Sequence, residues 1–148
     1  MNLVGWAVKW GIPADALIDL KLQMGLDGTV ALAGSRELTT ETGAQSAIRL
    51  EAADKGIHLW RNNVGALQDE TGRWVRYGLV NDTKALNEKV KSHDLIGIKP
   101  GGQFISREVK KPGWVYSGTK REQAQLKFAH IVLAAGGDAA FATGPGSL

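Results

Sequence analysis

Two strand-forming runs, Asp94-Leu95-Ile96-Gly97-Ile98 and Gln103 to Lys110, flank the segment Lys99-Pro100-Gly101-Gly102. No other stretch constrains the fold as strongly. Proline presets a turn backbone and adjacent glycines accept positive φ, so the runs return on each other as a hairpin. Successive strand side chains point to opposite faces, so Glu108 and Lys110 share one face while Val109 packs into the other. Antiparallel pairing then sets Asp94, at the start of the first strand, near the end of the second. Two carboxylates converge beside one ammonium.

The remaining elements follow from periodicity and punctuation. A helix is expected from Thr40 to Lys55, with Thr39 or Thr40 as its cap, Glu41 in its first turn and Gly56 as its stop. Glu41, Gln45, Ile48 and Ala52 fall along one side of it. Ile57 to Arg61 and Trp74 to Tyr77 read as strands, with Trp60 and Trp74 as core or half-buried sheet residues. Asn62 to Gly65 and Asp69 to Gly72 read as turns, and Asn81 to Lys91 as a loop or short helix. A second long helix spans Thr119 to Ala135, with Ala124, Phe128, Ile131 and Ala135 as its buried stripe and Gln125, Ala129 and Val132 beside it. A short strand from Asp138 to Thr143 precedes a frayed Gly144-Pro145-Gly146-Ser147 tail. The order predicts an α/β fold, a mixed central sheet flanked by helices whose last crossover returns a strand parallel to a central one.

Residues 1–34 differ in texture. Trp6, Trp10, Ile12, Leu17 and Leu20 give a broken helical periodicity, and Gly25 to Gly34 reads as a linker. So apolar an arm must be covered, by its own domain or by a partner chain, and the second reading is preferred. The division expected is a helical arm over 1–34, possibly dimerising, and one domain over 35–148, a size suited to a single core.

Cysteine is absent from the 148 residues, which excludes disulfides, thiol nucleophiles and thiolate metal sites. No apolar run approaches the ~20 residues of a membrane span, and the first ten residues lack a secretory pattern; a cytoplasmic setting is expected. The net charge of +3 and pI of about 9.3 permit attraction to nucleic acid. Lys110, Lys111, Lys120 and Arg121 are among many cations in the half that holds the acid–lysine strand.

Asp94, Glu108 and the Val109 carbonyl offer oxygen ligands suited to Mg²⁺ or Mn²⁺ held near a phosphate. Such an ion polarises the phosphate and activates water, while Lys110 orients that water or offsets developing charge. Glu41 and Gln45 extend the set if their helix packs over the same sheet. The competing explanation is an edge-strand ion pair between Glu108 and Lys110, with Asp94 opening a turn. Arg61, Asn62, Asn63 and Arg76 stand near turns and suit phosphate contacts or turn chemistry. Trp114 and Tyr116 either stack on an unpaired base or cover a sheet edge. His58 and His130 lack metal-ligand spacing, and His93 suits a positional role.

Taken together, Glu41 with Gln45, Leu59 to Gly65, Arg76 to Leu79, Asp94 to Gly97, Glu108-Val109-Lys110, and Gln125 followed by Gly136-Gly137 resemble the VRR-NUC family of the PD-(D/E)XK nuclease superfamily. The resemblance covers roughly residues 36–143. It implies a restriction-endonuclease-like fold and a divalent-metal-dependent DNA endonuclease. Glu41, Asp94 and Glu108 correspond to metal-binding acids, Lys110 to the catalytic lysine, and Gln45 and Gln125 to polar active-site partners. His93 stands where relatives often carry proline. Small phage-type members resemble Holliday-junction resolvases acting on branched DNA as homodimers. Flap or linear-DNA cleavage, or a silent nucleic-acid-binding domain, are the alternatives.

Overall fold

The structure, a computed structural model, describes residues 3–13, 16, 17, 20 and 39–148. The linker expected from Gly25 to Gly34, and most of the arm's second half, lie outside the described residues. In chain order the elements are α1 (Leu3–Lys9), α2 (Glu41–Asp54), β1 (His58–Arg61), β2 (Gly65–Gln68), β3 (Trp74–Tyr77), α3 (Lys84–Lys89), β4 (Leu95–Ile98), β5 (Phe104–Val109), α4 (Lys120–Ala134) and β6 (Asp138–Ala142).

The hairpin turn forms as its residues dictate. Gly101 and Gly102 take φ of 91° and 89°, and the Lys99 N–H donates to the Gln103 carbonyl at 2.8 Å. The turn joins β4 to β5 with Leu95 opposite Arg107 and Ile98 opposite Phe104. β1 adds antiparallel to the other edge of β4. There Gly97 is required, because a Cβ would lie 1.9 Å from the His58 carbonyl oxygen. α4 then crosses over so that β6 pairs parallel with β5, giving a four-stranded sheet in the order β1-β4-β5-β6. Helices flank this mixed sheet. β2 and β3 form a separate two-stranded ribbon.

The helices take opposite faces. Thr40 caps α2 by accepting the Gly43 N–H at 3.0 Å, and Ala44, Ile48 and Ala52 pack with Leu59, Leu95, Ile105, Val109 and Ala142. α4 opens with a capping box between Thr119 and Glu122. Its Phe128, Ala129 and Val132 pack with Ala139, Phe104, Val80 and Val90. Residues of β5 therefore alternate: Ile105 and Val109 face α2, Phe104 faces α4. Among the described residues no helix is long and apolar enough to cross a membrane.

Four expectations are corrected. Gly65 begins a strand, not merely a turn: Asn81, 3% exposed, donates through Nδ2 to the Gly65 and Tyr77 carbonyls at 2.7 and 2.8 Å and ties the ribbon's base. Trp60 is 51% exposed, because α4 packs on β5 and β6, leaving Trp60's side of β1 open to a ring contact with His58; Trp74, on the separate β2–β3 ribbon, is 65% exposed. Ile131 is 55% exposed and Ala135 is the exposed C-cap, since the buried stripe of α4 runs through Ala124, Gln125, Phe128, Ala129 and Val132. Ser147 in the tail is tied down, accepting from the Arg107 guanidinium at Oγ (3.2 Å) and at its carbonyl. Arg107 is 1% exposed and forks onto Asp138 at 2.9 and 3.1 Å, so its remaining donors need acceptors.

Candidate active site

The register fixed by the hairpin brings the start of β4 beside the end of β5, and Asp94 locks it there. Its Oδ2 accepts the Val109 N–H at 2.9 Å. One residue back along β5, Glu108 is 2% exposed on the α4 face. Its Oε1 accepts from Lys110 Nζ at 2.9 Å and from Gln125 Nε2, while Lys110 also donates to Gln125 Oε1 at 3.1 Å. A carboxylate, an ammonium and an amide thus close a ring of hydrogen bonds. Among the described residues no hydrogen bond reaches Glu108 Oε2.

His93 positions this ring from behind. It is fully buried, with Nε2 3.0 Å from the Gln125 carbonyl and Nδ1 3.0 Å from Ser106 Oγ. A carbonyl only accepts, so Nε2 carries the proton and Nδ1 accepts from the serine. Burial pushes its pKa down to about 4, and the neutral ring ties α4 to β5 at the residue that supplies Gln125.

Glu108, Asp94 and Gln125 line a cleft of about 260 Å³ together with Asn62, Arg76, Asn81, Asn87, Lys91, Ser92 and Arg121. Burial, reinforced by the nearby Asp94 charge and opposed by Lys110, raises the Glu108 pKa to about 7. A buried carboxyl whose charged form is disfavoured by burial and by a neighbouring acid suits a cation, which would relieve both. Two carboxylates, with waters and a phosphate oxygen, make an adequate Mg²⁺ donor set.

The residues singled out in the sequence divide cleanly. Asp94, Glu108, Lys110 and Gln125 come together. Glu41 and Gln45 do not line the cleft; Glu41 is exposed in the first turn of α2, a helix on the sheet face opposite Glu108. Among the described residues no three acids or histidines are placed to share one ion, so the expected gathering of three acids gives way to a pair. Val109 offers its N–H to Asp94 and buries its side chain under α2. Arg76 and Arg121 line the cleft, whereas Arg61, Asn63, Lys111 and Lys120 are exposed outside its lining.

Asn62 is a brace: its Nδ2 donates to Ser92 Oγ at 2.8 Å and the His93 carbonyl at 2.9 Å. Trp114 covers the sheet edge, stacking on Phe141 with centroids 5.0 Å apart and donating to Glu122 Oε1 at 3.0 Å. The cleft is also lined by Lys91, one of the many cations of that half of the chain, and by Asn81 and Asn87, which no motif marks. Their signal lay only in the length of the Asn81–Lys91 connection, which carries α3 back to the cleft.

Neither family models, nor curated proteins, nor solved structures gave a match to this chain.

Proposed function

We propose that the protein is a divalent-metal-dependent DNA endonuclease of restriction-endonuclease-like fold, akin to VRR-NUC nucleases. The observation that carries this reading is the meeting of Asp94, Glu108 and Gln125 in one cleft that also presents Arg76, Lys91 and Arg121, with Lys110 hydrogen-bonded to both Glu108 and Gln125. Mg²⁺ or Mn²⁺ would be held by Asp94 and Glu108 and, when bound, would polarise a phosphodiester and acidify a water. Lys110, held by Glu108 and Gln125, supplies the positive charge next to the reacting phosphoryl oxygens. Gln125 fixes the carboxylate and the ammonium relative to each other. The surrounding cations draw in the nucleic-acid backbone.

Branched DNA cut by a homodimer is the preferred version, with an intracellular phage or bacterial setting. Its support is the family resemblance together with the exposed Trp6, Val8 and Trp10 of the N-terminal segment, an apolar surface of the kind that self-association covers. The pair of acids, in place of three, favours the second reading, a nucleic-acid-binding domain that does not cut.

One assay separates them. The purified protein is incubated with a labelled four-way junction, a flap and a linear duplex, with Mg²⁺, with Mn²⁺ and with EDTA. Metal-dependent cleavage abolished by Glu108→Gln is expected, and symmetric nicks confined to the junction mark a resolvase. Binding without cleavage in either metal selects the silent domain. Cleavage unaffected by Glu108→Gln removes the mechanism.

A further inference from the structure

The cleft contains cations that the carboxylate pair leaves unneutralised. Lys110 is matched by Glu108, but among the described residues Arg76, Lys91 and Arg121, which all line the cleft, make no salt bridge. Arg76 and Lys91 have only neutral side-chain partners. Arg76 Nη1 donates to Asn81 Oδ1 at 3.0 Å, and Lys91 Nζ donates to Asn87 Oδ1.

Lys91 is anchored by its own N–H on the Ala124 carbonyl at 3.1 Å, which sets it against α4. Burial first, then the Arg121 charge, holds its ammonium below the usual lysine range, with Arg76 adding to the crowding and Glu88 and Glu108 opposing it. Like charges gathered in a concave, partly buried site call for an anion.

Asn87 identifies where that anion sits. Its amide orientation is fixed, because turning it over would set the NH₂ group against the Lys91 ammonium. The Nδ2 is consequently buried with no hydrogen-bond partner among the described residues, a situation native folds seldom leave uncompensated. A donor without an acceptor, on a side chain held by an ammonium in a cleft also lined by two guanidinium groups, matches the oxygens of a phosphate.

We propose that Lys91, Arg76, Arg121 and the Asn87 amide form a phosphate subsite, distinct from the Asp94–Glu108 pair, that holds a nucleic-acid phosphate neighbouring the one to be cut. This assignment rests on the nucleic-acid reading of the cleft and names the part of the substrate it grips. The phosphate is either internal to the strand or a terminal monoester; both present the same oxygens.

The test needs no catalysis. In EDTA, the ¹⁵N-labelled protein is titrated with inorganic phosphate, and two otherwise identical short oligodeoxynucleotides, one 5′-phosphorylated and one 5′-hydroxyl, are measured by fluorescence anisotropy. Phosphate is expected to shift the Asn87 side-chain amide signals. Lys91→Met, which keeps the aliphatic stem, is expected to weaken oligonucleotide binding about tenfold and to lower the salt slope by about one charge. Equal loss for both oligonucleotides identifies an internal phosphate; loss confined to the phosphorylated one identifies a terminal group.

Unmoved Asn87 signals on titration with phosphate and with both oligonucleotides overturn the subsite, and this readout on the unaltered chain stands even if a variant fails to fold. Glu108→Gln is expected to retain the phosphate response. A chain that shows that response yet never cleaves keeps the subsite and loses the nuclease.

Discussion

The two faces of β5 are both buried and are built for different ends. Toward α2, Ile105 and Val109 join a layer of Ala44, Ile48, Ala52, Leu59, Leu95 and Ala142. The charged group identified on that side, Arg107, is closed off by a forked pair to Asp138 and by Ser147. Toward α4, the same strand contributes Ser106 and Glu108, which meet His93 and Gln125 in an almost fully buried polar set. Burial of apolar groups stabilises the first face, whereas desolvation of polar groups works against the second. Within alternating residues the strand thus carries apolar packing on one side and buried polar and titratable groups on the other.

The widest separation between the faces should appear in activity. Glu108→Gln is expected to lower metal-dependent cleavage at least 10²–10³-fold, the scale of losing one group that acts on the transition state. The variant should melt no earlier than the parent in EDTA, since a buried carboxyl with a raised pKa has been replaced by a neutral isostere. Glu41→Gln, at an exposed position outside the cleft, is expected to stay within about threefold in rate. A loss as large as that of Glu108→Gln would restore the three-acid arrangement.

On the apolar face the sign reverses. Ile48 is 0% exposed, and truncation to alanine should cost about 2–5 kcal/mol of unfolding free energy. Urea titration measures it. A cost below about 1 kcal/mol would mean that the α2 layer does not carry the fold.

The polar face should also set the pH dependence, through two groups of opposite sign. The fold keeps the Glu108 proton from the ordinary value of 4.5 up to about 7, while the unfolded chain releases it. That contribution is complete below 4.5 and is lost as pH rises through 7. His93 refuses a proton from 6.5 down to about 4, so its contribution is present above 6.5 and is lost as pH falls through 4. Each is worth roughly 3 kcal/mol across its window, and in the metal-free protein they oppose each other between 4.5 and 6.5. Glu108→Gln should therefore gain stability, relative to the parent, as pH rises through that interval. His93→Asn should show the opposite trend. Parallel urea-derived curves for all three chains would contradict the assignment.

The hairpin, both long helices and the parallel return of β6 were legible because each rests on local chemistry: Gly101 and Gly102 for the turn, Thr40 and Thr119 for the caps, alternation for the strands. The convergence of Asp94 with Glu108 followed from the same register. What local chemistry does not encode is which helix covers which part of the sheet. That is why Trp60 and Ile131 were misplaced, why Glu41 was expected beside a face that α2 does not cover, and why the tail's capture by Arg107 was missed. Gly65 to Gln68 carries weak strand propensity and becomes a strand through pairing with Trp74 to Tyr77 and the Asn81 brace.

The smallest effect concerns two tryptophans that the fold treats differently. Trp114, for which base stacking and covering of a sheet edge stood as alternatives, is committed to Phe141 and Glu122, and its replacement by alanine should cost roughly 2 kcal/mol of stability. Trp74, expected to be at least half-buried, is 65% exposed, so Trp74→Ala should change stability by no more than about 0.5 kcal/mol. Yet Trp74 and Arg76 are two residues apart on β3 and share a face of the ribbon, and Arg76 lines the cleft. If nucleic acid follows that face, Trp74→Ala weakens binding of a substrate with unpaired bases while leaving the melting curve unchanged. Anisotropy and thermal melting on the same sample read both quantities, and a melting shift above about 0.5 kcal/mol would return Trp74 to the packed interior.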